Sequence, residues 1–165
     1  MLRMGNLTYD GRLDLSDLKH VELTARDLPK YTTRPGDLLF NRTNSKELVG
    51  KTAVVESAEP LAIAGYLIRA RTNASGNPHY ISAYLNSVPG KAVLRNMCKN
   101  IVGMANINAQ EMQDIIIAVP PIEMQDRFAA RLSAISARQG AIDLAIGQSN
   151  TLFTSLQHRA FRGEL

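Results

Sequence analysis

Cysteine is nearly absent from this 165-residue chain: Cys98 stands alone. One thiol excludes a disulfide framework and leaves no cysteine cluster to hold zinc. Long apolar runs are also missing. The most hydrophobic stretch, Ile115–Val119, is far too short to cross a bilayer, and no cationic segment followed by an apolar one marks the chain for export. These absences lead us to expect a cytoplasmic protein with no membrane attachment.

Catalytic signatures are missing as well. The glycines do not form a Gly-x-Gly-x-x-Gly fingerprint, and Gly36 and Gly50-Lys51 lack phosphate-loop spacing. His20, His79 and His158 are scattered, and there is no Gly-x-Ser-x-Gly elbow. Pro35-Gly36-Asp37 followed by Glu47 and Lys51 invites a nuclease reading, but the Glu–Lys separation is wrong for the usual metal-dependent pattern. Pro120-Pro121 is followed by Ile122-Glu123, which cannot do the work of an amino-methyltransferase tetrapeptide. We expect no catalytic residue, no metal site and no cofactor in this chain.

What is there is an ordinary globular composition, 45% hydrophobic and 21% charged, with a net charge of +4. Positive charge gathers in residues 51–100, where Lys51, Arg69, Arg71, Lys91, Arg95 and Lys99 face only Glu56 and Glu59. Such a bias favours an anionic partner.

The first 35 residues are polar and broken by turn formers. Asp37–Phe40 then reads as a strand entered through the Pro35-Gly36 turn, with Thr52–Val55 as its return strand. Ala64–Ala70 reads as another strand. Tyr80–Leu85 begins a helix that restarts after Pro89 and runs through Lys91–Lys99, and Asp114–Val119 is the last expected strand. Together these predict an α+β domain with a mixed or antiparallel sheet over residues 1–120.

After Pro120-Pro121 the periodicity changes. Phe128, Leu132, Ile135, Gln139, Ile142, Ile146, Ser149, Phe153, Leu156 and Ala160 alternate in steps of four and three, the seam of a coiled coil. Residues 121–165 therefore predict a long helix of about forty residues, a rod of roughly 60 Å. A stripe that long needs a partner helix. Phe128, Leu132, Ile135, Gln139, Ile142, Ile146, Phe153 and Leu156 are the expected contacts of a homodimer.

Between the first two strands lies the polar loop Asn41–Glu47. Arg42 suits guanine or a phosphate, Asn44 suits adenine, and Thr43 and Ser45 suit either base edge. Lys46 and Lys51 offer compact charge for phosphates. The same loop also reads as a solvated hairpin turn.

Five segments resemble the DNA-specificity subunit of type I restriction–modification systems. Gly36–Val55 (G-D-L-L-F-N-R-T-N-S-K-E-L-V-G-K-T-A-V-V) is similar to that family's central target-recognition segment. Gly103–Asn108 (G-M-A-N-I-N) is similar to its glycine-to-Asn-Ile element, and Val119–Phe128 (V-P-P-I-E-M-Q-D-R-F) to the start of its spacer helix. Leu152–Leu165 is similar to the end of that helical region, and Leu2–Leu15 to the middle of a recognition domain.

The resemblance implies a target-recognition domain that binds double-stranded DNA, and from their chemistry Arg3, Asn6, Arg42, Thr43, Asn44, Ser45, Lys46 and Lys51 are the expected contacts. It implies methyltransferase subunits as partners, with restriction subunits in the full complex. S-adenosylmethionine, ATP and Mg²⁺ are then used by those partners and not by this chain. The family's full subunit carries two recognition domains and this chain one, so the expectation is a half-subunit lacking some DNA-contacting elements. Two rivals remain: a coiled-coil assembly protein whose remnant head no longer reads DNA, and a stand-alone nuclease or methyltransferase.

Overall fold

The computed structural model describes residues 1–45, 48–101 and 104–164. Its centre is a three-stranded antiparallel sheet. Strand β1 (Leu38–Asn41) lies between β3 (Thr52–Val54) and β4 (Leu67–Ala70), in the order β3-β1-β4. Leu38 faces Val54 on one side and Ala70 on the other, so the strand pairing expected from the sequence holds.

All four β1 residues are buried because both faces of this strand are covered. Leu39 joins Leu2, Leu7, Ala53, Val55 and Leu67 in one apolar cluster. Phe40 joins Val49, Leu85, Leu94 and Ile107 in another. Burying each such side chain fully is worth roughly 1.5–3 kcal/mol, so this short strand anchors two cores at once.

The second core is closed by two helices. Asn77 caps α2 (Pro78–Asn86), its side chain accepting from the His79 and Tyr80 amides at 2.9 and 3.3 Å. Ser87 caps α3 (Val88–Met97), accepting from the Gly90 amide at 3.2 Å. The restart of helix around Pro89 follows, since proline is tolerated in a first turn. Only glycine fits position 90: a Cβ there would lie 2.0 Å from the Tyr84 carbonyl oxygen.

The region after α3 departs from the sequence reading. Lys99, expected to end a helix, instead opens β5 (Lys99–Ile101), which pairs with β6 (Met104–Asn106). Strand β6 also pairs with β2 (Thr43–Asn44), giving a second antiparallel sheet, β2-β6-β5. The expected strand Asp114–Val119 does not form. A short helix α4 (Ala109–Gln113), capped by an Asn108–Glu111 capping box, precedes an irregular stretch instead. That apolar run has no ladder partner among the described residues; Ile115 packs against the second core while Ile116 is 91% exposed.

Before the sheets, the chain makes the 3₁₀ turn η1 (Met4–Asn6) and the short helix α1 (Leu28–Tyr31). The 40-residue helix α5 (Ile122–Phe161) follows Pro120-Pro121. It ends in a Schellman motif, with the Gly163 amide donating to the Ala160 carbonyl and the Glu164 amide to that of Arg159. The chain divides into two compact units, Met1–Asp126 and Arg127–Leu165. No helix among the described residues is long and apolar enough to cross a membrane.

Candidate nucleic-acid interface

The polar loop after β1 is held at both ends by backbone hydrogen bonds. At its base the Gly50 amide donates to the Asn41 carbonyl at 2.8 Å, and the Asn41 amide donates to the Lys51 carbonyl at 2.9 Å. Two residues thus oppose one, with Gly50 at φ +74, which is a G1 bulge. A side chain at position 50 would be strained by that φ, and its Cβ would approach Leu94 Cδ1 to 2.6 Å.

Within the loop, the backbone of Arg42 is fixed by its amide donating to the Tyr66 carbonyl (3.1 Å) and its carbonyl accepting from the Ile107 amide (2.9 Å). Asn106 Oδ1 accepts from Arg42 Nε at 3.3 Å and from Thr43 Oγ1 at 3.2 Å. The terminal guanidinium nitrogens of Arg42 form no hydrogen bond with another described residue. Asn44 Oδ1 accepts from the Ser45 amide, and the Ser45 carbonyl accepts from the Leu48 and Val49 amides. Arg42, Thr43, Asn44 and Ser45 are therefore a half-buried set on an ordered backbone, steadied by Asn106. Lys46 lies outside the described residues.

The other proposed contacts are placed differently. Asn6 is 5% exposed; it accepts from the Arg3 amide and donates to the Asp14 and Asp17 carbonyls. Its side chain shapes the N-terminal turn. Arg3 pairs with Asp17 at 2.7 Å, in a depression also lined by Met4, Gly5, Asn6, Asp14 and Tyr66. Neither residue adjoins the Arg42–Ser45 set in any of these bonds.

Lys51 is only 8% exposed, with its ammonium 5.8 Å from the Tyr9 ring centroid, and burial pushes its pKa down. Lys91, counted in the sequence only among the clustered positive charges, donates from Nζ to the Gly50 carbonyl at 2.8 Å. Burial first, and the Lys51 charge second, pull its pKa down to about 8.

Two further polar residues were not singled out from the sequence. Asn41 is fully buried, and its side-chain amide has no hydrogen-bond partner among the described residues. Gln125, inside the Val119–Phe128 segment, is also fully buried but satisfied. Its Nε2 donates to the Ser75 and Pro120 carbonyls at 2.9 and 2.8 Å, and its Oε1 accepts from the Asn77 amide at 2.8 Å. It ties the first turn of α5 to the loop before α2. Gln125→Met should therefore strand three backbone groups and cost about 2 kcal/mol of unfolding free energy in urea melts; an unchanged midpoint would remove this role.

Asp37, a member of the nuclease-like pattern, is committed elsewhere. It accepts from Arg71 Nε at 2.6 Å and from the Arg34 amide at 2.9 Å, with Arg69 Nε at 3.9 Å. Among the described residues no group of three His, Cys, Asp or Glu side chains could hold a metal ion.

In α5, Ile135, Ile142, Ile146 and Phe153 are 54, 57, 54 and 62% exposed, with Phe128 and Leu156 at 41%. Gln139 is also exposed and Leu132 is half-buried.

The structure is similar to solved chains of type I restriction–modification systems. The structure is similar to a chain from work described as the structural basis of complex assembly and conformational transition of the type I R-M system. That match has a TM-score of 0.59 at 25% identity and covers 82% of this chain and 33% of the other. It is also similar to the HsdS subunit from Thermoanaerobacter tengcongensis, with a TM-score of 0.51 at 25% identity, covering 81% and 31%.

In sequence the chain is similar to the type I restriction enzyme EcoKI specificity subunit of Escherichia coli (strain K12). The two are 28% identical over 162 residues, covering 94% of this chain and 35% of that protein. It is 29% identical to the putative type I restriction enzyme MjaX specificity subunit of Methanocaldococcus jannaschii over 166 residues, covering 93% and 39%. The chain thus resembles type I specificity subunits over most of its own length, and spans less than two fifths of theirs. No protein-family model matches it.

Proposed function

We propose that this chain is a non-catalytic DNA-reading unit: a target-recognition head joined to a pairing helix, serving as the specificity component of a type I restriction–modification complex. The observation that carries this reading is the similarity to specificity subunits across 94% of the chain. The exposed seam of α5 supports pairing of two copies. Two heads related by a twofold axis would then read an inverted, bipartite duplex site. Methyltransferase and restriction subunits would supply the chemistry, together with their S-adenosylmethionine, ATP and Mg²⁺, and this chain would need no cofactor of its own.

Selection from a random-sequence duplex pool tests the reading. Enrichment of two half-sites at fixed spacing is the expected result. Intact pairing with no enrichment would favour the assembly-protein alternative, and turnover by the purified chain would favour an enzyme.

At the level of single residues, Arg42 has terminal guanidinium nitrogens that bond no other described residue and stand on a fixed backbone, the arrangement needed for bidentate contact with guanine. Arg42→Ala should reduce discrimination between the selected and unrelated duplexes by about 1–3 kcal/mol in a competition assay. Equal weakening on both duplexes would reassign Arg42 to the DNA backbone.

A further inference from the structure

Lys51 and Lys91 form an unusual pair. They come from different elements, Lys51 from the G1 bulge and Lys91 from α3, and the Lys91 ammonium holds the carbonyl of Gly50, the residue before Lys51. Lys51 is buried and Lys91 half-buried, and neither makes an ion pair with a carboxylate among the described residues. Buried ammonium groups are normally paired, because desolvation without a counter-charge is costly. Here each is desolvated, the Lys51 charge acts on Lys91, and among the described residues the stabilising partners are a carbonyl and the Tyr9 ring. An anion is the chemical group that would stabilise such a pair.

We propose that Lys51 and Lys91 together seat a phosphodiester oxyanion of duplex DNA beside the reading loop, and that seating it keeps Lys91 charged. The inference rests on the DNA-reading proposal above. The geometry places this seat at the closing bulge of the loop that carries Arg42–Ser45, so a backbone contact here would fix the register from which those side chains reach base edges.

The seat is coupled to a proton. A free Lys91 with a pKa near 8 is largely neutral at pH 9. Binding phosphate favours the ammonium form, so the complex takes up a proton from solvent onto the Lys91 amine. The sign is fixed: the pKa is higher in the complex than in the free protein, so affinity is full below pH 8 and falls as pH rises above it.

Other charged groups around the pair do not supply this linkage. Asp10 and Arg12, in the turn that carries Tyr9, pair with each other. Arg95, one turn along α3, is exposed. Helix α2, packed on α3, brings Tyr80 and Tyr84 and, at its N-terminal end, His79. Glu47 is outside the described residues.

The experiment measures the affinity of the intact chain for a selected duplex from pH 6.5 to 9.5, with calorimetry in buffers of different ionisation enthalpy. Wild type should lose about tenfold in affinity between pH 7 and 9 and take up about half a proton per complex at pH 8. Lys91→Arg keeps the donor and stays charged, so its profile should be flat through this range. Lys91→Met should bind more weakly at pH 7 and also show no slope, with thermal melts confirming that both variants fold. A wild-type slope that persists in Lys91→Arg overturns the seat while leaving DNA reading intact. Proton uptake on inorganic phosphate but not on duplex overturns the assignment to DNA. Failure of wild type to bind any duplex at any pH overturns both proposals.

Discussion

A triple variant Ile135→Glu, Ile142→Glu, Ile146→Glu should sediment as a single chain and lose about 10²–10⁴-fold in affinity for a duplex carrying both half-sites. The three isoleucines lie on one stripe of α5, spaced seven and four residues apart, and each is more than half exposed. An isolated stripe of this kind leaves apolar surface in water. Packing it against a second helix recovers up to roughly 1.5–3 kcal/mol for each fully covered side chain. Glutamate is a good helix former, so the substitutions spare the helix while placing like charges across the seam. The loss of affinity follows because two linked heads bind with an effective concentration that separate heads lack. Sedimentation equilibrium and binding isotherms on one- and two-half-site duplexes measure both effects. A wild-type chain that stays single at tens of micromolar, or a variant that still pairs, would remove the seam from the assembly.

The largest stability loss is expected from Asp37→Ala. This carboxylate is 2% exposed, and it closes the Arg34-Pro35-Gly36-Asp37 turn by accepting from the Arg34 amide. Its own amide donates back to the Arg34 carbonyl at 3.0 Å. It also receives Arg71 and lies near Arg69, whose side chain is 17% exposed. Removing it leaves a turn amide unpaired and two guanidiniums without their counter-charge, a loss of about 3 kcal/mol. For a domain of this size that is a fall in Tm of roughly 10 °C. Arg71→Ala should cost less, because that side chain is half exposed and its partner would keep the turn and Arg69. A double-mutant cycle gives the coupling between the two. A stability change under 1 kcal/mol for Asp37→Ala would show that the turn holds without it.

What the sequence disclosed depended on how far apart the interacting residues lie. Leu38–Asn41 and Thr52–Val54 were legible because a short apolar run, a proline-glycine turn and a return strand sit close together. The helices around Pro78 and Pro89 were legible for the same local reasons, as was the long heptad stripe of α5. The β2-β6-β5 sheet was not. Thr43–Asn44 is too short and polar to advertise a strand, and its partner Asn106 is more than sixty residues away. Asp114–Val119 gave a false strand because an apolar run records burial on one side without saying whether a ladder partner exists.

The candidate site shows the same division. Arg42–Ser45 could be chosen from side-chain chemistry, and the structure keeps them together. Asn6 carried similar chemistry, yet its amide is consumed by backbone groups at positions 3, 14 and 17. Lys91 was invisible as a member of the site because only the folded chain brings α3 to Gly50. The quoted Gly103–Asn108 segment did hold a signal for Asn106, though not its role beneath Arg42 and Thr43.

The bulge at Gly50-Lys51 has one more consequence. Its two main-chain bonds to Asn41 cinch the loop at the neck using no side chain from within the loop. Mechanical disturbance arising between the two ends is therefore confined there, and β1 and β3 keep their register. On the DNA-reading proposal, base preference could be re-engineered through the half-buried side chains of Arg42–Ser45, while Val49 keeps its place in the second core.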